Sequence, residues 1–379
     1  MSRVAIIHPW MPAYRVEFFE SLKADLERQG IQVDIITGAP PPEWKERGDS
    51  VVTDAVRITR TYSPSIRGRA LLLKVLPREV LTSGRYDLIV VEHAVRNLET
   101  YCLLALPWTR RKVAWWGHGR TYTKPESNYV TVAKRWLARQ GVWFFAYTSG
   151  GARAVAAAGV APDRITVVNN TIDVRSLEQA ISSTSPSDLS RLAAQHDLRG
   201  KTGLFVGGLD ADKRLPFLLE AARLIHAEEP DFRLLVAGDG SQRRIVHEAA
   251  ESLPFIRYVG RATGLDKALL LASAQVLMMP GRVGLIAVDS FASRLPIVTT
   301  NWPWHAPEFE YLDESNSVVL DDSVTAYAGG CVRLLNDPER LLDLGNGCAR
   351  SSVLYSTEAM VRRFSEGIQN AIMLVRPHG

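Results

Sequence analysis

Two successive doubly wound α/β domains are the architecture this sequence predicts. Short apolar runs alternate with amphipathic stretches, the pattern of strand–helix–strand units on a parallel sheet. A Ser/Thr/Asp-rich stretch from Ile181 to Leu189 interrupts the alternation, which begins again at Gly203. The chain, at 379 residues, also exceeds one ordinary core, and it suits two domains of roughly 150–200 residues each.

The predicted strands of the first half are Val4–Ile7, Gln32–Ile36, Asp87–Val91, Lys112–Trp116, Val142–Tyr147 and Ile165–Val168. Val16 to Arg28 reads as a helix because Phe18, Phe19, Leu22 and Leu26 fall on one face. The second half predicts strands at Leu204–Val206, Arg233–Ala237, Ile256–Val259, Gln275–Met279 and Ile297–Thr299. Helical patterns at Leu215–His226, Gln242–Ser252, Leu265–Ala272 and Leu285–Ser293 separate them. The final amphipathic stretch, Glu358 to Leu374, is too short to form a unit of its own. The expected division is an N-terminal domain over 1–180, a linker over 181–202, a second domain over 203–355 and a helix over 356–379 packing across the domains. Two such domains imply a cleft, with ligands beyond the carboxyl ends of the strands.

Composition narrows the function. The 46% hydrophobic content is that of an ordinary globular protein. No run approaches the ~20 apolar residues of a membrane span, and His8-Pro9 cuts short the only N-terminal apolar run. Cys102, Cys331 and Cys348 are scattered and lack CxxC spacing, which speaks against disulfides or zinc and for a reducing cytosol. The net charge of +4 hides an asymmetry: residues 1–178 carry 25 Lys/Arg against 17 Asp/Glu, a net of +8. A field of one sign suits an anionic partner or the inner face of a membrane, although a solvated basic face is the plainer reading. No nucleic-acid motif accompanies it, so nucleic acid is not an expected partner.

The chemistry concentrates between Gly203 and Leu312. In "LFVGGLDADKR" a strand runs into Gly207 and Gly208, whose lack of side chains lets backbone approach a ligand, with Lys213 and Arg214 as nearby cations. "LLVAGDGSQRR" repeats the strand-to-turn pattern through Gly238, Asp239 and Gly240, where a tight turn explains Asp239. "MPGRVGLIAVDSFASRLPIVTT" supplies a loop with Gly281, Arg282 and Gly284, then a helix carrying Asp289 one turn in. Amides of Gly284, Leu285 and Ile286 at that helix start suit a diphosphate, and Asp289 suits two vicinal ribose hydroxyls. Asp210-Ala-Asp212 has the form of a metal-binding DxD, but in a glycine turn it reads as helix capping, so no metal is expected.

The order VGGL…K, AGDG, YVG and "PGRVGLIAVDSFASRLPIVTT" resembles the donor domain of GT-B glycosyltransferases, specifically glycosyltransferase family 4. The likeness covers nearly the whole chain, including "HPWMPAYRVEFFESL", "AWWGHGR", "YTSGGAR" and "VVNNTIDV". The fold it implies is GT-B, two facing Rossmann-like domains with a cleft between them, the second holding the donor. It implies diphosphate contacts by Lys213 and by the amides of Gly284 and Leu285, ribose contacts by Asp289, and the base against Val259 and Arg261. It places His118 beside the transferred sugar, so that His118 and Lys213 are the candidate catalytic residues. Three departures stand out: Gly208 occupies the place of an Arg, Gly281 that of the first acid of a pair, and Asp289 that of a Glu. Missing charge then falls to Lys213, Arg214 or Arg282, and sugar recognition loses an acid. "HAPEFEYL", with His305, Pro307, Glu308, Tyr311 and Leu312, resembles a branch that makes surface polysaccharides, and His305 and Glu308 are candidates for the role Gly281 lacks.

Candidate acceptor residues lie in N-terminal strand-end loops: His8, Trp10, Tyr14 and Arg15 after the first strand, His93 after the third, and Ser149 at a helix start. The implied reaction is retaining, metal-independent transfer from a UDP- or GDP-sugar to a glycan, lipid-linked or small-molecule hydroxyl, in capsule or exopolysaccharide synthesis. The expected location is cytoplasmic, with peripheral contact at the membrane. A nucleotide-sugar epimerase of the same shape and a non-catalytic nucleotide- or glycan-binding relative are the rivals. The first would give no acceptor-dependent product and the second no turnover.

Overall fold

Strands that read as unbroken apolar runs need both faces covered, and both main sheets of this protein are parallel and flanked by helices. The computed structural model describes residues 1–39, 56–66, 69–82 and 84–376. It divides into one unit of Met1–Asp173 with Thr357–Gly379 and another of Val174–Ser356.

In the first unit, β1 (Ser2–His8), β2 (Ile31–Thr37), β3 (Arg57–Ile58), β4 (Leu88–Glu92), β5 (Val113–Gly117), β6 (Trp143–Ala146) and β7 (Ile165–Val167) form the sheet. Their order is β7-β6-β5-β4-β1-β2-β3. Strand pleating sends Trp115 and Trp116 of β5 into the cores on opposite faces. Helix α1 (Val16–Arg28) buries the predicted Phe18, Phe19, Leu22 and Leu26. α2 (Leu98–Ala105), α3 (Asn128–Ala138) and α4 (Ser149–Ala157) complete the covering layers.

The second unit begins with α5 (Arg175–Ser182) and α6 (Pro186–His196), where a linker over 181–202 was expected. The Ser/Thr/Asp richness there is a capping box: Ser185 and Asp188 satisfy each other's backbone amides, and Pro186 stands at the first helical position. Leu177, Leu192 and Leu198 pack on the second core, which moves the boundary from 180 to Asp173/Val174.

β8 (Lys201–Val206), β9 (Phe232–Ala237), β10 (Ile256–Gly260), β11 (Val276–Met279), β12 (Ile297–Thr300) and β13 (Ser317–Leu320) form the second sheet, ordered β10-β9-β8-β11-β12-β13. Its helices are α7 (Leu215–Glu228), α8 (Arg243–Ser252), α9 (Gly264–Ser273), α10 (Ile286–Ser293), α11 (Val324–Leu335) and α12 (Pro338–Leu354). The last helix, α13 (Thr357–Val375), belongs to the first unit. Its Phe364 stacks on Phe145 at 4.3 Å and meets Trp116 edge-on at 5.0 Å, an aromatic anchor the periodicity of the helix did not disclose.

Candidate functional site

Doubly wound sheets bind ligands where the strand order reverses. In the second unit that point lies between β8 and β11, the two strands that run into the glycine loops singled out above. There the loops are clasped backbone to backbone. A Cβ built on Gly281 would lie 2.5 Å from the Asp212 carbonyl oxygen and 2.6 Å from the Lys213 carbonyl carbon. The place where the family resemblance calls for an acid therefore admits no side chain. The Arg282 amide donates to the Asp212 carbonyl at 2.8 Å, and Lys213 Nζ donates to the Arg282 carbonyl at 2.6 Å. Gly238 meets the same group from β9, since a Cβ there would lie 1.9 Å from the Gly207 oxygen. Gly208 is different: only Asp210 Oδ2, at 3.1 Å, would meet its Cβ, so the arginine missing here is not excluded by backbone.

Three cations line the clasp. Burial holds Lys213 below the usual lysine range, a shift that Asp212 opposes. Arg282 pairs with Asp212 at 2.6 Å. Arg214, in left-handed backbone at φ 57°, pairs with Asp322 and lies over the Phe217 ring at 4.4 Å. Asp210 does not cap the short helix Ala211–Lys213; its carboxylate accepts from the Ser241 hydroxyl at 2.9 Å instead. Both acids of the DxD are thus engaged with protein groups.

Helix α10 opens with Ala287 and Val288 donating to the carbonyls of Gly284 and Leu285. The amides of Gly284, Leu285 and Ile286 stand ahead of that first bonded turn, at the positive end of the helix dipole. His305 fixes the loop in front of them. Its Nδ1 accepts from the Val283 amide at 3.1 Å, its Nε2 donates to the Thr300 carbonyl at 2.9 Å, and its ring stacks on Phe309 at 4.1 Å. Burial keeps this imidazole neutral, with its pKa lowered to about 4. With both nitrogens occupied, His305 is a brace. Glu308 is buried, and its Oε2 lies 4.0 Å from where a Cβ of Gly284 would sit, so a carboxylate adjoins the helix start despite the glycine at 281.

Asp289 is buried one turn into α10, and Lys267 of α9 contacts its Oδ1 at 2.7 Å. Burial raises the carboxyl pKa and Lys267 opposes the rise. Nothing in the sequence marked Lys267, which lies 22 residues away on another helix. Val259 and Arg261 line a cavity of ≈ 550 Å³ whose opposite wall is Asp188, Arg191 and Gln195 of α6.

In the first unit, His8, Arg15, His93 and His118 gather at the carboxyl ends of β1, β4 and β5. Arg15 is 1% exposed, bonds the Asn170 side chain and sits 4.8 Å from the Trp116 ring centre. An acceptor contact at Arg15 would have to be indirect. His8 is buried too, its Nδ1 donating to the Trp10 carbonyl at 2.7 Å. Burial first, then Arg15, pushes its pKa down to about 3. His93 is buried, donates from Nε2 to the Lys134 carbonyl at 3.1 Å and is lowered to about 4, again first by burial.

His118 reaches solvent, although its ring stands edge-on to Tyr147 at 4.3 Å. Crowding by protein, then the charges of Arg15 and Lys134, lower it to about 4. His93, His118, Arg120 and Lys134 line a cavity of ≈ 70 Å³. Tyr14 is exposed and Trp10 half-buried. Ser149 is exposed, but the cap of its helix is Thr148, whose Oγ1 accepts from the Gly151 amide at 3.2 Å. No cluster of metal-ligating side chains occurs among the described residues.

Two family models match. Residues 17–176 match the one described as Glycosyltransferase Family 4, and residues 200–337 match Glycosyl transferases group 1. An uncharacterized glycosyltransferase of Haemophilus influenzae is 22% identical over 48% of this chain and 53% of its own length. A phosphatidyl-myo-inositol mannosyltransferase of Mycobacterium leprae is 27% identical over 34% of this chain and 36% of its own. The chain thus spans about half the length, or less, of these curated relatives. Among solved structures, the Anabaena protein HepE in complex with UDP is similar with a TM-score of 0.69 and 17% identity, covering 97% of this chain and 100% of that one. A glycosyltransferase from Rickettsia africae gives 0.70 and 15%, covering 98% of each. HepE has also been solved with UDP-glucose. These likenesses show the fold, two Rossmann-like halves of GT-B type.

Proposed function

The chain belongs to the glycosyltransferases of family 4 and group 1, and from that premise we propose that it moves a sugar from a nucleoside diphosphate sugar to an acceptor hydroxyl with retention of configuration. The observation that carries this reading is the clasp of the β8 and β11 loops, which sets Lys213, Arg282 and the amide end of α10 around one point. A departing diphosphate develops charge, and preorganised cations and amides stabilise that charge more than they stabilise the ground state. In this role Lys213 and Arg282 meet the diphosphate, with Arg214 beside them, and no divalent ion is called for. Gly207 and Gly208 give the ligand access to backbone, and Gly238 lets the β9 loop close on the Gly207 carbonyl beneath it. Asp289 accepts from the ribose while Lys267 holds its other oxygen, and the base enters the cavity at Val259 and Arg261. UDP is the favoured nucleotide, because HepE, of similar fold, was solved with UDP and UDP-glucose.

Sugar recognition falls to Glu308, which stands beside Gly284 where no acid at 281 can exist. His118, held neutral, donates to a sugar hydroxyl, and the departing phosphate oxygen takes the acceptor proton. Tyr14, Trp10 and Ser149 border the acceptor, while His8, Arg15 and His93 support that surface from beneath. The acceptor class is a glycan of the cell surface carried on an anionic lipid, met at the inner face of the membrane by the basic N-terminal unit. The test is a thermal-shift screen of UDP-, GDP- and dTDP-sugars on wild type, Lys213→Ala and Asp289→Ala, followed by nucleotide release on adding acceptor. A UDP-sugar is expected to stabilise wild type and neither variant; a wild type that no nucleotide stabilises sinks the assignment.

A further inference from the structure

Helix α3 divides its side chains unequally. Leu137 and Ala138 are buried, and Lys134 turns inward to line the His118 cavity. On the opposite side Tyr129, Val132 and Trp136 recur at i, i+3 and i+7, and they are 87%, 64% and 49% exposed. Isolated surface apolar residues are ordinary, but three large ones in one stripe mark a surface that something covers.

The surroundings say what that is. Arg135 on the same helix and Arg139 just after it are exposed beside the stripe, and Arg139 also donates from Nε to the Ala158 carbonyl. Arg110, also exposed, donates to the Gln140 side chain at the end of α3 at 3.1 Å, and Arg111 follows it. Trp108, 44% exposed, belongs to the same short helix, Pro107–Arg110. The one acidic residue between Lys124 and Arg139 is Glu126, which Lys134 holds at 2.5 Å. Four arginines therefore lie toward the C-terminal end of this apolar stripe, which carries no acid of its own.

We propose that this face of α3 docks on an anionic lipid bilayer surface. Tyr129, Val132 and Trp136 enter the boundary between headgroups and acyl chains, while Arg110, Arg111, Arg135 and Arg139 meet lipid phosphates. Tyr and Trp suit that boundary because each has an apolar body and a polar tip. A second copy of this chain fits worse, since a two-fold pairing would bring like-charged arginines together. No helix among the described residues is long and apolar enough to cross a membrane, so docking of this kind is peripheral. The proposal rests on the glycosyl-transfer reading for its purpose: one side of α3 faces lipid while Lys134, on its other side, lines the His118 cavity, where a lipid-carried acceptor is used.

Co-sedimentation of the full chain with phosphatidylcholine vesicles, with and without phosphatidylglycerol, tests this. Wild type is expected to bind the anionic vesicles at least about tenfold better, with binding weakening as salt rises. The triple variant Tyr129→Ser, Val132→Ser, Trp136→Ser and the double variant Arg135→Gln, Arg139→Gln should each lose about tenfold. Their melting temperatures and their transfer to a water-soluble acceptor should be unchanged, which separates failure of docking from failure of the transfer reading. The proposal is overturned if wild type ignores anionic vesicles, if the triple variant binds them as wild type does, or if wild type is a dimer in solution that the triple variant dissolves.

Discussion

The two units handle positive charge in opposite ways. In the C-terminal unit Lys213, Arg214 and Arg282 are partly buried on loops, each tied to a carboxylate or carbonyl of a neighbouring loop, with glycines letting backbones touch. In the N-terminal unit Arg15 is enclosed by aromatic rings and an asparagine, and it helps hold the imidazoles of His8 and His118 neutral. The first arrangement is the one proposed to meet a highly charged diphosphate. The second presents neutral rings and hydrogen-bonding tips, the chemistry of sugar hydroxyls. In the proposed function the donor's diphosphate and the sugar's hydroxyls would meet different units, and burial would decide this as much as residue type.

Breaking the clasp should have the largest effect. Gly281→Asp would restore the acid of the family pattern yet drive its Cβ into backbone, and a stability loss of about 3 kcal/mol or more is expected by chemical denaturation. A variant as stable as wild type would show that the loop yields and that steric exclusion is not why the acid is absent. Acid should act next, chiefly on the N-terminal unit. The native pKa values of His8 and His93, about 3 and about 4, lie below the unfolded value of 6.5, so the unfolded chain binds protons first. Their contribution is complete above 6.5 and is lost as pH falls toward the native values. Between pH 7.5 and 5.5 the two together should cost about 2–3 kcal/mol, read by urea unfolding, and substituting both by Gln should remove that share of the slope, leaving the part due to His118 and His305.

His305→Ala should be milder, about 1–2 kcal/mol for the unpaired Val283 amide and Thr300 carbonyl, and should weaken donor binding through the loop. The smallest effect is a gain. Gly208→Arg has room apart from Asp210, and a half-exposed cation there should tighten nucleotide binding by a factor of about 2–5 in a calorimetric titration. Weaker binding would mean that Asp210 cannot yield.

All strands of both sheets except β3 and β13 were legible because parallel strands buried on two faces read as apolar runs, whereas those two edge strands are short or only partly buried; α1 was legible because Phe18, Phe19, Leu22 and Leu26 share one face. The glycine loops were legible as well, since residues near in sequence build each of them. What pairs across loops was not. The Lys267–Asp289 contact, the bond from Lys213 to the Arg282 carbonyl and the bracing by His305 join positions that only the fold brings together. Local rules misled at two caps: Ser185–Asp188 starts a helix where a connector was expected, and Asp210, read as a helix cap, accepts from Ser241 instead. Arg15 shows the remaining limit, because a polar residue in a strand-end loop reads as exposed until its aromatic enclosure is seen.

A diphosphate site at the clasp around Lys213 should be visible in a comparison of uridine with UDP by isothermal titration. Wild type is expected to bind UDP far more tightly than uridine, and Lys213→Ala to erase most of that difference, about tenfold or more, while leaving uridine binding unchanged. Equal binding of uridine and UDP by wild type, or an undiminished preference in Lys213→Ala, would contradict a diphosphate site there.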